Sequence, residues 1–476
     1  MAKVLVTGVN GFIGSHLAEL LLASGDEVVG LVRPTADLRS LAPLSNRYGD
    51  RLQLVVGDLR TGLGLGEAVR GVEIVYHLGG LVMGTSQAEF QMTNTVGTRR
   101  LLEAVLAARG PHFRRFLYTS SQAAAGPAPS PAPIDETAPR HPVSWYGESK
   151  RDAEDAVTEY ADRGLPVTIV RPVSVFGERE TDISRGTFPA VRAGFRPRIG
   201  LAEKTLSVIY VGDLVRGMVA GAASPAALNR VYFLSNPTPN TASQFIATIA
   251  KAMDKRFGIP ILVPNFTLWI GGVISEWVHA FTRTRPMITR DKSREVRQKS
   301  WAVSPAAAQR DFGWVATTPL EDGLRAEVDD WKRRTAQASH ITAEVSRDRA
   351  IKTFTLAALI GIVVEGLAYL AHWYAYTPGW LIVVAMFGFF GGVIGAISYL
   401  LAGRAAIAQF VAGAAAFLAV EIPNHLWLRL WHFSPALLGD KDPWLRAGVL
   451  AVPMGLVPLI INGAIRLLYD VRRRLG

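Results

Sequence analysis

An α/β fold built on a doubly wound parallel sheet is predicted for residues 1–334, followed by an all-α transmembrane domain. Three observations predict it. Short apolar runs alternate with helical stretches as far as Arg334. A glycine-rich turn, Thr7-Gly8-Val9-Asn10-Gly11-Phe12-Ile13-Gly14, joins the first apolar run to the first helical stretch. After Lys352 the chain becomes apolar over long segments. Alternating strands and helices favour one parallel sheet with helices on both faces.

Six strands are expected, at 4–7, 27–32, 52–56, 74–77, 116–120 and 167–171, with helices between them. The first helix is expected to open at Ser15 and run through Leu22. Residues 335–350 are polar and of mixed charge, and read as a linker. The transmembrane domain, 351–476, holds four apolar segments at 353–371, 379–402, 405–427 and 447–468. A helix needs about 20 apolar residues to cross a bilayer core. The third segment is the weakest; if it lay in the interface, three spans would remain. Arg347, Arg349 and Lys352, then Arg404, then Arg472, Arg473 and Arg474 fall on one side of a four-span arrangement. The positive-inside rule makes that side cytoplasmic. Arg429, Lys441 and Arg446 fall outside, partly balanced by Asp440 and Asp442. The expected location is therefore a multi-pass membrane protein with its N-terminal domain in the cytoplasm.

Composition narrows the chemistry. The chain has no cysteine, which excludes disulfides, thiolate metal sites and a cysteine nucleophile. No metal site is expected. The net charge is +11. No basic-aromatic stripe accompanies it, so a lipid bilayer is the expected partner and nucleic acid is not. The first apolar run is short and ends in the glycine turn, so no signal peptide is expected at the N-terminus.

Strand, glycine turn and helix in that order form a cradle for a dinucleotide. The glycines let backbone amides approach a pyrophosphate, and the helix N-terminus favours the anion. A second site is Tyr146-Gly147-Glu148-Ser149-Lys150. A tyrosine and a lysine four apart share a helix face. A nearby ammonium favours the phenolate. Such a phenol can exchange a proton with a hydroxyl or carbonyl while a hydride moves. Between the two sites, Tyr118-Thr119-Ser120-Ser121 ends a predicted strand. A hydroxyl there can hold a substrate oxygen, and Thr119, Ser120 and Ser121 are equal candidates on these grounds.

Taken together these motifs resemble a known family. They are TGxxGxxG at 7–14, Gly57-Asp58-Leu59, His77-Leu78-Gly79-Gly80, Asn94 with Val96-Gly97-Thr98, Thr119-Ser120-Ser121, Tyr146 with Lys150, and Arg171-Pro172. The match continues through Val211-Gly212-Asp213 to Trp331. The chain resembles the extended short-chain dehydrogenases/reductases, the superfamily of NAD(P)-dependent sugar epimerases, dehydratases, 3β-hydroxysteroid dehydrogenases and dihydroflavonol reductases. The resemblance implies a Rossmann-type sheet with a smaller substrate domain. It implies Ser121, Tyr146 and Lys150 as the catalytic trio. It implies cofactor contacts from Thr7, Gly8, Asn10, Gly11, Phe12, Ile13, Gly14, Arg33, Asp58, Leu59, Leu78, Gly79, Gly80, Asn94, Thr119, Pro172 and Val173, with Tyr146 and Lys150. Asp58 would lie near the adenine. Gly79 and Gly80 depart from the family's usual alanines. Extended members are often dimers, so a homodimer is implied too.

The same resemblance bears on cofactor and substrate. Val32 stands where NAD-users of the superfamily carry an acid, and Arg33 follows it. An arginine there suits a 2′-phosphate, so NADP is favoured over NAD. Nucleotide-sugar members usually place an arginine before the Val-x-Asp strand. The segment from Lys204 to Asp213 has none. Ser207-Val208-Ile209-Tyr210-Val211 and Arg285-Pro286-Met287-Ile288-Thr289 look more like the steroid dehydrogenase and flavonol reductase branches. The expected reaction is alcohol–ketone interconversion on a lipid-soluble substrate such as a 3β-hydroxysteroid. A nucleotide-sugar epimerase or dehydratase is the alternative. Finally, Phe266, Trp269 or Ile270, Val273, Trp277 and Phe281 recur at helical spacing. They predict a helix that is either buried in the substrate domain or dips into a membrane interface.

Overall fold

The computed structural model describes residues 1–255, 257–282, 286 and 288–336. Seven parallel strands form the central sheet: β1 (Lys3–Thr7), β2 (Glu27–Val32), β3 (Leu52–Val56), β4 (Ile74–His77), β5 (Arg115–Thr119), β6 (Val167–Pro172) and β7 (Val231–Leu234). Their order across the sheet is β7-β6-β5-β4-β1-β2-β3. The order reverses direction between β1 and β4. Ligands of such sheets bind at the carboxyl ends of the strands at that point.

The strands alternate because each buries both faces. Val4 and Val6 enter one core and Leu5 the other; Ile74 and Tyr76 likewise oppose Val75. Helices α1 (Phe12–Ala23), α2 (Gly97–Ala108), α3 (Trp145–Asp162) and α4 (Val211–Ala223) cover the sheet. Leu17, Leu21 and Leu22 of α1 share a core with Leu214 and Met218 of α4. Leu101, Leu102 and Val105 of α2 share the other with Ala153, Val157 and Tyr160 of α3.

Three elements differ from expectation. Helix α1 opens at Phe12, three residues before the expected Ser15, because Gly11 of the glycine turn is itself the N-cap. The fifth strand runs one residue earlier, so Ser120 and Ser121 both leave the sheet. The seventh strand was not expected. A four-residue apolar run has no periodicity to separate it from buried helix, and only pairing beside β6 decides it.

The substrate domain has its own core, in which Phe176, Phe188, Val208, Phe245 and Ile249 meet Leu324 and Val328. Its helices include α5 (Asn265–Thr282) and α6 (Arg290–Val296). The expected helix at 266–281 is present as α5, but the buried reading of it is corrected. Phe266, Trp269, Ile270, Val273 and Ile274 are exposed. No helix of the described residues is long and apolar enough to cross a membrane. The linker beyond residue 336 and the four predicted spans lie outside the described residues.

Candidate active site

The glycine turn leaves β1 and enters α1 at the point where strand order reverses. The Gly11 amide donates to the Gly8 carbonyl at 3.0 Å, closing the turn. A Cβ on Gly14 would lie 2.1 Å from the Gly8 oxygen, so only glycine lets α1 start this close to β1. Gly11 is the N-cap residue of α1, and no side chain caps that end. Its first amides are thereby left for an anion. Phe12 and Ile13 form the first turn.

The turn after β4 lies against it. A Cβ on Gly8 would sit 3.0 Å from Gly79 backbone atoms. Alanine at Gly79 would press on Leu59 Cδ1 at 2.9 Å, and alanine at Gly80 on Asn94 Oδ1 at 3.0 Å. The departure from alanine is thus matched by this chain's own neighbours.

A buried chain of hydrogen bonds holds the two turns together. The Gly79 amide donates to Thr7 Oγ1 at 2.9 Å, and Thr7 Oγ1 lies 2.7 Å from His77 Nδ1. His77 Nε2 lies 2.9 Å from Thr98 Oγ1, which donates to the Asn94 carbonyl. Burial, aided by the Lys150 ammonium, holds the His77 imidazole down to about 3, so it is neutral. The consistent proton assignment has Thr7 donate to Nδ1 and Nε2–H donate to Thr98.

Asn94 acts through this loop. Its Oδ1 accepts from the Leu81 amide at 2.6 Å, and its Nδ2 donates to the Leu81 carbonyl and to Ser149 Oγ, both at 2.9 Å. It fastens the Gly79–Gly80 turn to the tyrosine helix. At the far end of the cradle, Asp58 Oδ1 accepts from the Arg60 amide at 2.8 Å, shaping the turn after β3. Leu59, Pro172 and Val173 are buried, and Leu78 is half-buried. Arg33 is exposed just past the end of β2. Asn10 Nδ2 donates to the Asp37 carbonyl and Ser40 Oγ to the Asn10 carbonyl, which lays the 33–40 loop over the glycine turn. That loop adds Arg39, now paired with Asp37 at 2.5 Å.

Tyr146 and Lys150 lie on α3, which Ser144 caps by accepting from the Gly147 amide at 3.0 Å. A Cβ on Gly147 would lie 2.4 Å from the Ala123 carbonyl oxygen. Glycine there lets α3 approach the turn that carries Ser121. Of the three hydroxyls left open by the sequence, Ser121 is the one that bears on the Tyr146 phenol, and its Oγ accepts from the Ala123 amide at 3.2 Å. Thr119 Oγ1 and Ser120 Oγ are buried without a partner among the described residues. Burial raises the Tyr146 phenol above its ordinary value. The Ser121 hydroxyl and the ammonium of Lys292 pull it down, and Glu295 pushes it up.

Lys150 differs from expectation. Its Nζ donates to the Thr119 carbonyl at 2.7 Å and to Tyr118 Oη at 3.3 Å. Burial lowers the ammonium to about 8, with Glu154 acting to raise it. The carbonyl at the end of β5 holds the ammonium. The cation that bears on Tyr146 is Lys292, with Nζ 5.8 Å from the ring centre.

Sequence reasoning missed α6. Lys292 Nζ pairs with Glu295 Oε2 at 2.6 Å, and Ser144 Oγ donates to Glu295 Oε1 at 2.6 Å. Asp291 accepts from the amides of Trp145 and Tyr146 at 2.7 and 3.2 Å. One short helix therefore holds the start of α3 and presents a second lysine to the phenol. The available signal was Asp291-Lys292 followed by Glu295, a spacing that sets all three near one helical face.

The glycine cradle, the unpartnered Thr119 and Ser120 hydroxyls and the Ser121–Tyr146 pair fit a dinucleotide with its reactive end beside the phenol. Fold and site together define an NAD(P)-dependent oxidoreductase. Residues 4–234 match the NAD dependent epimerase/dehydratase family. Sterol demethylase protein B of Methylococcus capsulatus is 35% identical over 178 residues, 36% of this chain and 51% of that protein. Ceramide reductase of Caulobacter vibrioides is 28% identical over 334 residues, 69% of this chain and 94% of that protein. The solved structure of MoeE5 in complex with UDP-glucuronic acid and NAD is 25% identical, with a TM-score of 0.55, covering 70% of this chain and 99% of its own.

Proposed function

We propose that the protein is a membrane-anchored oxidoreductase that interconverts a secondary alcohol and a ketone on a lipid-like substrate, such as a 3β-hydroxysteroid. The observation that carries the chemistry is the buried Tyr146 phenol on a helix that Gly147 packs against the turn carrying Ser121. Tyr146 gives a proton to, or takes one from, the substrate oxygen, and Ser121 holds that oxygen in place. Lys150, bonded to the Thr119 carbonyl, stands ready to hold the ribose. The bound cofactor supplies or accepts the hydride.

The lipid-like substrate is supported by two relatives whose names specify a sterol and a ceramide. NADP is the proposed cofactor. Arg33 and Arg39 share the loop laid over the glycine turn, and two guanidinium groups there suit a 2′-phosphate. The four apolar segments after Lys352 support anchoring, with the catalytic domain in the cytoplasm.

The test is absorbance of reduced nicotinamide with purified full-length protein in detergent. Reduction of added NADP by a 3β-hydroxysteroid, faster than reduction of NAD, is expected. Interconversion of a UDP-sugar with no net reduction would overturn the proposal in favour of an epimerase.

A further inference from the structure

We infer that the outward face of α5, with the strand pair before it, docks on the surface of an anionic phospholipid bilayer. The inference rests on the membrane-anchored reading above. Strand Ile259–Val263 pairs with Phe195–Ile199, and α5 follows directly. The Gly200 amide bonds to the Val263 carbonyl beyond that pair, and a Cβ on Gly200 would meet the Asn265 side chain, so strand pair and helix are continuous. Nineteen large apolar side chains are exposed among the described residues. Twelve of them lie on α5 or on the strand pair and its flanks. Phe266, Trp269 and Ile274 are 64%, 50% and 52% exposed. Scattered apolar residues on a surface are ordinary, whereas a continuous face marks something that covers it.

Charge indicates what covers it. Residues 192–299 hold sixteen lysines and arginines against six aspartates and glutamates. That excess of ten accounts for nearly all of the chain's +11. Beside the first residue of α5, a cleft is lined by Asn265, Arg294 and Arg297. An exposed apolar helix face within a cationic stretch of the chain matches the acyl boundary and headgroups of an anionic membrane.

The tether agrees. Residues 337–352 separate the described chain from the first apolar segment, which confines the domain to within about 55 Å of the bilayer. The other side of α5 is committed to α6. A Cβ on Gly272 would lie 2.7 Å from the Arg290 amide nitrogen, and Glu276 pairs with Arg290 at 2.7 Å. Since α6 holds the start of α3, docking sets Tyr146 two helices from the lipid. A substrate dissolved in the bilayer would have a short path to the phenol.

Because the chain lacks cysteine, one introduced thiol carries a unique label. The full chain with Ile274→Cys, and separately with Trp269→Cys, is spin-labelled and reconstituted in phosphatidylcholine vesicles with and without phosphatidylglycerol. Ser45→Cys, on the exposed side of the helix Ala42–Tyr48, is the control. Collision rates with oxygen and with a water-soluble nickel chelate are compared. High oxygen and low nickel access at 274 and 269, several-fold above the control and strongest with phosphatidylglycerol, is expected. High nickel access at both positions while the chain sediments with the vesicles overturns docking and leaves the anchoring reading standing. Low access to both reagents means protein covers the face, and also overturns docking. A chain that fails to sediment with the vesicles overturns both readings.

Discussion

Replacing Glu154 by Gln should unbalance the charges behind the active site. Glu154 sits one turn after Lys150 on α3, and its side chain is 3% exposed. It accepts from Arg171 Nε at 2.8 Å and from a second Arg171 nitrogen at 2.7 Å, and the Arg171 side chain is 4% exposed. Arg140 approaches the same carboxylate at 3.4 Å. Glutamine keeps the shape but leaves the Arg171 guanidinium buried without a counter-charge. Breaking such a pair from one side costs about 3–5 kcal/mol. The second consequence concerns Lys150. Its ammonium titrates at about 8 in the folded protein against an ordinary 10.5. Folding therefore releases its proton in that window, and stability rises with pH from about 8 to 10.5, by roughly 3 kcal/mol in all. Glu154 raises the folded value, so the variant should lose the proton at lower pH, and the window should extend downward. Urea unfolding at pH 7 and at pH 9, with NMR titration of the lysine, reads both effects. The double variant Glu154→Leu, Arg171→Met should recover most of the loss. A loss below about 1 kcal/mol would show that water screens the pair. An unmoved Lys150 titration would show that Glu154's charge does not reach it.

Three further outcomes are expected. Tyr146→Phe should lower turnover by a factor of about 100 to 10,000, the range of a lost proton-transfer group, while cofactor affinity measured by fluorescence titration stays unchanged. Lys292→Met removes a cation that lowers the Tyr146 phenol, so the pH midpoint of alcohol oxidation should rise, and Lys292→Arg should restore it. An unmoved midpoint with only a lower melting temperature would reduce Lys292 to a tie between α6 and α3. Burial and the neighbouring Glu180 push Glu327 up to about 9 from an ordinary 4.5. The folded protein holds that proton where the unfolded chain does not, so stability falls with rising pH across 4.5 to 9. Glu327→Gln should therefore be more stable than the parent at pH 8 and little different at pH 4, as measured by urea unfolding.

Much of the fold was legible because its signals are local. A strand followed by Gly-x-x-Gly-x-x-Gly and a helix is short-range chemistry, and six of the seven sheet strands lay where apolar runs predicted them. Tyr146 and Lys150 were legible for the same reason, since four residues on a helix are one face. Contacts between distant segments were not legible. The choice among Thr119, Ser120 and Ser121 depends on where β5 ends, and that is set by pairing with β6. The lysine bearing on Tyr146 comes from 146 positions later in the chain, and no local pattern announces it.

The sequence by itself determined the parallel α/β class, the glycine cradle, the tyrosine helix and the apolar character of the chain after Lys352. Tertiary structure decided which hydroxyl meets the phenol, which lysine lies beside it, and which way α5 turns its apolar face. The periodicity of α5 was equally compatible with a buried helix and an outward one, because an amphipathic pattern states that a face is apolar and not what covers it. Packing of Gly272 against α6 settled that the face points away from the domain's own core.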